Sequence, residues 1–216
     1  MLYIRAEIIV LGGGGLSFIN LRDKVVQVKI VYYGPGRCGK TTNLEYINRK
    51  FREQIQSEMV SLKTHGDRTL FFDFLPFHMG QIKGYDIKIQ LYTVPGQVKY
   101  NATRKLVLKG VDGIVFVADA MEKQREKNIR SLNQLHENLQ SYKESIFNIP
   151  LVMQYNKVDL KEHGIPVLPI AVLQQDLNSR LQVPYFEASA ITGYNVAATL
   201  KKIISSTVVS IQKKLL

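Results

Sequence analysis

Residues 34–41 read Gly34-Pro35-Gly36-Arg37-Cys38-Gly39-Lys40-Thr41, glycines followed by a cation and then a hydroxyl. Glycine lets successive backbone N–H groups turn toward one point and form an anion nest, and a helix starting at Lys40 adds its N-terminal partial charge. In that frame Lys40 reaches terminal phosphates and Thr41 offers an oxygen to Mg²⁺, while Gly34, Gly36, Arg37, Cys38, Gly39 and Thr42 complete the cradle. A second cluster, Asn156-Lys157-Val158-Asp159, follows an apolar run. An ionised Asp159 accepts two hydrogen bonds from the ring N–H and amine of guanine, whereas adenine places an acceptor at the ring position. Lys157 would lay its aliphatic stem on the base, and Asn156 would either tie this loop to the phosphate loop or bond the purine edge. Further on, Ser189-Ala190 would present the Ala190 backbone N–H to the guanine oxygen. Together the clusters predict binding of GTP and GDP in preference to ATP.

Such groups need a scaffold that brings distant loops to one place. From Lys24 onward, β-branched and aromatic runs alternate with segments of helical period. Strands are expected at Val25 to Tyr33, Thr69 to Leu75, Tyr85 to Thr93, Gly113 to Ala118, Pro150 to Tyr155 and Val183 to Ala188. Helices are expected at Lys40 to Gln56, Lys99 to Leu108, Lys123 to Ser145, Ile170 to Leu181 and Val196 to Lys214. The runs VFVA and LVMQY are apolar throughout, as parallel strands covered on both faces are. Thr69 to Thr93 reads instead as an antiparallel pair joined through Pro76 to Gly84. The rhythm is that of an α/β fold with a phosphate loop after its first long strand.

The chain has 216 residues, 45% of them apolar and 22% charged, which suits one domain with a sizeable core and excludes global disorder. Lys plus Arg is 29 and Asp plus Glu 18, a formal charge of +11 that favours polyanionic partners. With Cys38 the single cysteine, no intrachain disulfide can form, which fits a cytoplasmic location. No apolar run reaches the roughly 18 to 20 residues of a membrane span. No stable membrane anchor is expected either: no cysteine lies near the C-terminus, Met1-Leu2 cannot be myristoylated, and the last helix, with Lys201, Lys202, Lys213 and Lys214, reads as packed on the sheet. Residues 1–16, apolar and then broken by Gly12 to Gly15, read as a non-native or disordered extension, with Leu16 an alternative start and residues 17–216 a single domain.

The stretches KIVYYGPGRCGKTTNLEYI, DRTLFFDFLP, YTVPGQVKYNATRKLVLKGVDGIVFVAD and NKVDL resemble, in order and spacing, the small Ras-like GTPases, and more closely the MglA-like gliding-motility and cell-polarity family. The resemblance implies a P-loop fold with a six-stranded, mostly parallel sheet and helices on both faces, and GTP hydrolysis coupled to a conformational switch. It implies that Thr69 senses the γ-phosphate and Mg²⁺, that the Gly96 N–H reads the γ-phosphate, that Gln97 orients the attacking water, and that Arg68 acts as an arginine finger from within the chain. It also implies an MglB-like Roadblock-type regulator, polarity or motility effectors, and recruitment to a cell pole. Lys99, Tyr100, Arg104 and Lys105 would form the regulator's basic contact or the solvated face of a helix.

At Thr93 the chain departs from the usual Asp, so the charge that ordinarily supports Mg²⁺ is missing there. Asp73 and Asp119 are tempting substitutes, and both read as structural. A metabolic kinase would need an acceptor-substrate site and does not account for Asn156 to Asp159. A translation or ribosome-associated GTPase is the alternative, but no basic, aromatic-interleaved segment is left over to bind nucleic acid.

Overall fold

The structure, a computed structural model, describes residues 8–9, 18–20, 23–55, 59–62, 72–82, 84–97 and 100–214. Arg68, Thr69 and Lys99 lie outside the described residues, as do Gly12 to Gly15.

Among the described residues nine strands form one sheet: β1 (Ile8–Ile9), β2 (Phe18–Asn20), β3 (Val25–Tyr33), β4 (Val60–Leu62), β5 (Phe72–Ile82), β6 (Tyr85–Thr93), β7 (Gly113–Asp119), β8 (Leu151–Asn156) and β9 (Tyr185–Ala188). Its central six run β5-β6-β3-β7-β8-β9, all parallel except β5, which is antiparallel to β6. β4 adds to the outer edge of β5, and β2 pairs with Val25 to Gln27, the part of β3 that β7 does not reach. Ile8–Ile9, inside the segment read as an extension, pairs with Ile19 and Asn20.

Five helices among the described residues cover the sheet: α1 (Lys40–Lys50), α2 (Asn101–Leu108), α3 (Arg125–Gln140), α4 (Ile170–Leu177) and α5 (Val196–Lys214). Side-chain alternation along β3 divides the core. Val28, Ile30 and Tyr32 pack with Leu44 and Ile47 of α1 and Leu200, Ile203 and Ile204 of α5. Val31 and Tyr33 face the opposite way, toward Val107 of α2, Leu135 and Leu139 of α3 and Leu173 of α4. β7 and β8 are buried at every residue, which is why they read as unbroken apolar runs. The exposed Lys201 and Lys202 lie on the outer side of α5, and no helix of the described residues is long and apolar enough to cross a membrane.

The expected hairpin is corrected in its connection. β5 continues through Pro76 to Ile82, and the register Ile82 to Tyr85 leaves a two-residue link with Gly84 at φ +81°. Pro76 stands opposite Gln90 in the ladder to β6, beyond the stretch Phe72 to Phe74 that β4 covers, and Ile55 bridges Phe77 next to it. The expected helices also end sooner: α1 stops at Lys50, α3 at Gln140 and α4 at Leu177.

Because β3, β6, β7, β8 and β9 are parallel, the loops that follow them emerge along one edge of the sheet. A buried polar contact holds the first helix to this edge: Gln154 Nε2 of β8 donates to Asn43 Oδ1 at 2.9 Å, and Asn43 Nδ2 donates to the Gly39 carbonyl at 2.8 Å. Both side chains are fully buried, so Gln154→Leu orphans the Asn43 oxygen. The expected loss is about 1–3 kcal/mol of stability, read from urea denaturation; an unchanged midpoint would remove this contact from the account.

Candidate nucleotide site

The phosphate loop, residues 34–39, runs from the end of β3 into α1. Gly39 sits at φ +100°, and a Cβ there would strike the Asn156 side-chain nitrogen, so both backbone conformation and space require glycine. Lys40, 6% exposed, donates from Nζ to the Gly34 carbonyl at 3.0 Å and the Pro35 carbonyl at 2.7 Å. Burial lowers its pKa, opposed by the Cys38 thiol and reinforced by the charge of Arg104. An ammonium in this setting is stabilised by an incoming anion.

Thr41 Oγ1 donates to Asp73 Oδ2 at 2.6 Å, and Thr93 Oγ1 donates to the same oxygen at 2.9 Å. The Asp73 N–H in turn donates to Thr93 Oγ1 at 2.9 Å. Asp73, read above as structural, therefore stands beside Thr41, to which metal chemistry was assigned, and beside Thr93, where the usual Asp is missing. The register of β5 on β6, Phe74 opposite Tyr92, carries it there. Its one sequence signal is position: Asp73, Leu75 and Phe77 are the inward-facing residues of β5, and a carboxylate on such a face calls for partners. Thr41 and Asp73 make a set of hard oxygen donors suited to Mg²⁺.

On the base side, Asn156 does tie loops together. Its Nδ2 donates to the Cys38 carbonyl at 2.7 Å, and its Oδ1 accepts the Ala190 N–H at 2.8 Å. The Ala190 N–H, expected to face a guanine oxygen, donates to Asn156 in this structure. Ser189, 1% exposed, shapes the same loop, its carbonyl accepting the Gly193 N–H at 2.8 Å. Lys157, at φ +74°, donates to Asp119 Oδ2 at 2.7 Å, so Asp119 orients the lysine and is far in role from the metal side. Asp159 is partly exposed in the short 3-10 segment after β8.

Gly96 follows β6 and packs directly on the phosphate loop: a Cβ on it would collide with the backbone of Gly36. Gln97 is exposed next to it. Arg104, expected on a contact surface or solvated face, is instead 1% exposed. It donates to the Pro95 carbonyl at 2.8 Å, the Gly96 carbonyl at 2.5 Å and Gln134 Oε1 at 2.6 Å, and lies over the Tyr33 ring. Arg104 thus braces the segment that carries Gly96 and Gln97, a role hidden until the buried face of α2 is known.

Asn156→Ala leaves the Cys38 carbonyl and the Ala190 N–H without their partner. GDP affinity is expected to fall on the order of 10- to 100-fold, from about 1–3 kcal/mol per buried group left unpaired, as measured by displacement of a fluorescent nucleotide. An affinity equal to wild type would show that the loops hold their places without it.

A model of the Ras family matches residues 29–209. The chain is 46% identical over 198 residues to the mutual gliding-motility protein MglA of Myxococcus xanthus, covering 92% of this chain and 99% of that protein. It is 27% identical over 172 residues to the Ras-related protein RABG3f of Arabidopsis thaliana, covering 78% of this chain and 76% of the relative, and equally to Rab7 of Prunus armeniaca over the same shares. These relatives lend no support to the translation alternative. A phosphate loop, a guanine-type base motif and a glycine-glutamine segment converge on one sheet edge, and with these matches they establish that the chain belongs to the Ras family of small GTPases, switches that hydrolyse GTP.

Proposed function

We propose that this GTPase is an MglA-like switch that governs cell polarity or motility, cycling between GTP and GDP and handing its state to effectors. One observation carries the reading: the Asn156 side chain bridges the phosphate loop at Cys38 and the base-side loop at Ala190. Phosphate recognition and guanine selection are thereby parts of a single unit. The 46% identity to a protein named for gliding motility supplies the direction of the output. Residues 17–216 would be the G domain, residues 1–16 an addition to it, and the protein would act in the cytoplasm and gather at a pole.

For nucleotide binding the proposal assigns Gly34, Gly36, Arg37, Cys38, Gly39, Lys40, Thr41 and Thr42 to the phosphates, and Asn156, Lys157, Asp159, Ser189 and Ala190 to the base side. Gly96 and Thr69 would read the γ-phosphate. Thr41, Thr69 and Asp73 would hold Mg²⁺, which neutralises charge on the phosphate oxygens when bound. Asp73, donated to by Thr41 and Thr93, supplies the carboxylate that position 93 lacks. Asp73→Asn keeps the shape and removes the charge, so the Mg²⁺ concentration needed for tight GTP binding is expected to rise about 10- to 100-fold. An unchanged Mg²⁺ titration would return Asp73 to a structural role.

Gln97 would orient the attacking water, and Arg68 would stabilise charge on the transferring phosphoryl group, a contribution worth roughly 10³ to 10⁵ in rate when correctly placed. These groups must align at once, so hydrolysis is slow until a partner orders them. An MglB-like Roadblock-type protein is the proposed partner. The test is single-turnover hydrolysis of preloaded GTP with and without that protein. Strong acceleration is expected, with Arg68→Ala losing at least about tenfold of the stimulated rate while GTP affinity stays near wild type. Tight GTP binding with no acceleration would refute the partner-gated scheme.

A further inference from the structure

Beyond the phosphate loop, a cavity of about 550 Å³ opens between Gly36, Gly96 and Gln97 on one side and helix α3 on the other. Its size is that of a small-ligand pocket. From α3 it receives Lys127, Arg130, Ser131 and Gln134. These positions are spaced i, i+3, i+4 and i+7, and so share one face of the helix. Arg37 and Arg104 complete the cationic wall, and among the described residues no Asp or Glu lines the cavity. Four side chains of one sign stand around it, none of them in an ion pair among the described residues.

Two features separate this cavity from an ordinary basic surface. Ser131 is 3% exposed, and its hydroxyl has no hydrogen-bond partner, an orphaned polar group in the wall. Such a group costs stability unless something meets it. Arg104 is buried with no carboxylate partner among the described residues, its guanidinium met by the Pro95 and Gly96 carbonyls, the Gln134 side-chain oxygen, and the hydroxyl and ring face of Tyr33. Cations at i and i+3 of a helix repel one another as well. Every one of these costs is relieved by a compact polyvalent anion. The cavity shares Gly36 and Gly96 with the place where hydrolysis sets phosphate free, which narrows the anion to a tetrahedral phosphate.

We infer that this cavity is a second anion site that takes orthophosphate, separate from the γ-phosphate position and reached from it past Gly96, with Lys127, Arg130 and Ser131 as its ligands. Orthophosphate reaches it either as the product leaving the γ-position or from the medium. Occupied by the product, it holds phosphate beside the segment that carries Gly96 and Gln97, so that release to solvent follows cleavage as a distinct step.

The test titrates inorganic phosphate into the full chain loaded with a non-hydrolysable GTP analogue, which fills the γ-position, using ³¹P NMR at constant ionic strength with chloride as the control for screening. Saturable binding is expected, weakened at least about tenfold in Lys127→Gln/Arg130→Gln, whose exposed side chains take no part in folding the core. Ser131→Ala should weaken it less and in the same direction. A parallel arm follows stimulated single turnovers with a phosphate sensor and by chemical quench. A lag of release behind cleavage that shortens in the double variant assigns the site to product, whereas binding without a lag assigns it to phosphate from the medium. The inference is overturned if phosphate binds only the GDP form, if the double variant binds it as wild type does, or if chloride at equal ionic strength abolishes the signal. It is likewise overturned if the double variant loses regulator binding while its phosphate affinity is unchanged, which would give the cavity to a partner's acidic side chain.

Discussion

The nucleotide site depends on one side chain spanning loops that the sequence keeps far apart. Asn156, at the end of β8, bonds the Cys38 carbonyl of the phosphate loop and the Ala190 N–H after β9. Those loops leave strands on either side of it in the sheet, with β7 intervening between β3 and β8. Parallel pairing puts their ends at one edge, but only to within the slack of a loop; the amide converts that neighbourhood into a fixed distance. Gly39 is shaped to receive it, since any side chain there would occupy the space of the Asn156 nitrogen. Preorganisation of this kind reduces the ordering that a bound nucleotide must otherwise bring about.

The parts of the site that depend on local geometry were legible in the sequence. Lys40 and Thr41 follow the phosphate loop at fixed offsets within one strand, turn and helix unit, so their roles could be assigned without knowing anything across the fold. Asn156 was legible by half: its side-chain chemistry allowed either a loop tie or a purine contact, and the approach of Cys38 and Ala190 decides for the tie. Asp73 and Arg104 were not legible in their roles, because each depends on a tertiary register. A shift of one residue between β5 and β6 would turn Asp73 away from Thr41 and Thr93. Arg104 looked like a surface cation in a basic stretch, and its burial follows from which face of α2 meets Tyr33 and α3.

The fold's six-stranded centre was equally readable, because β7 and β8 are apolar on both faces and the helices between strands keep their period. The edge of the sheet was not. β4 is three residues long, too short to announce itself, and Pro76 argued for ending β5 where pairing with β6 carries the strand on to Ile82. Local preference fails here where pairing along the whole strand outweighs it.

The Asn156 bridge also governs when during folding the site can exist. The bond to Cys38 closes 118 residues of chain, and the Gln154 bond to Asn43 closes 111. Contacts of such separation form late, because the loop between must first be ordered. A chain growing from its N-terminus has made the whole phosphate loop long before β8 exists to hold it. Guanine nucleotide recognition therefore arrives only when the sheet is nearly complete, and nucleotide binding in this protein reports on the folding of the entire domain.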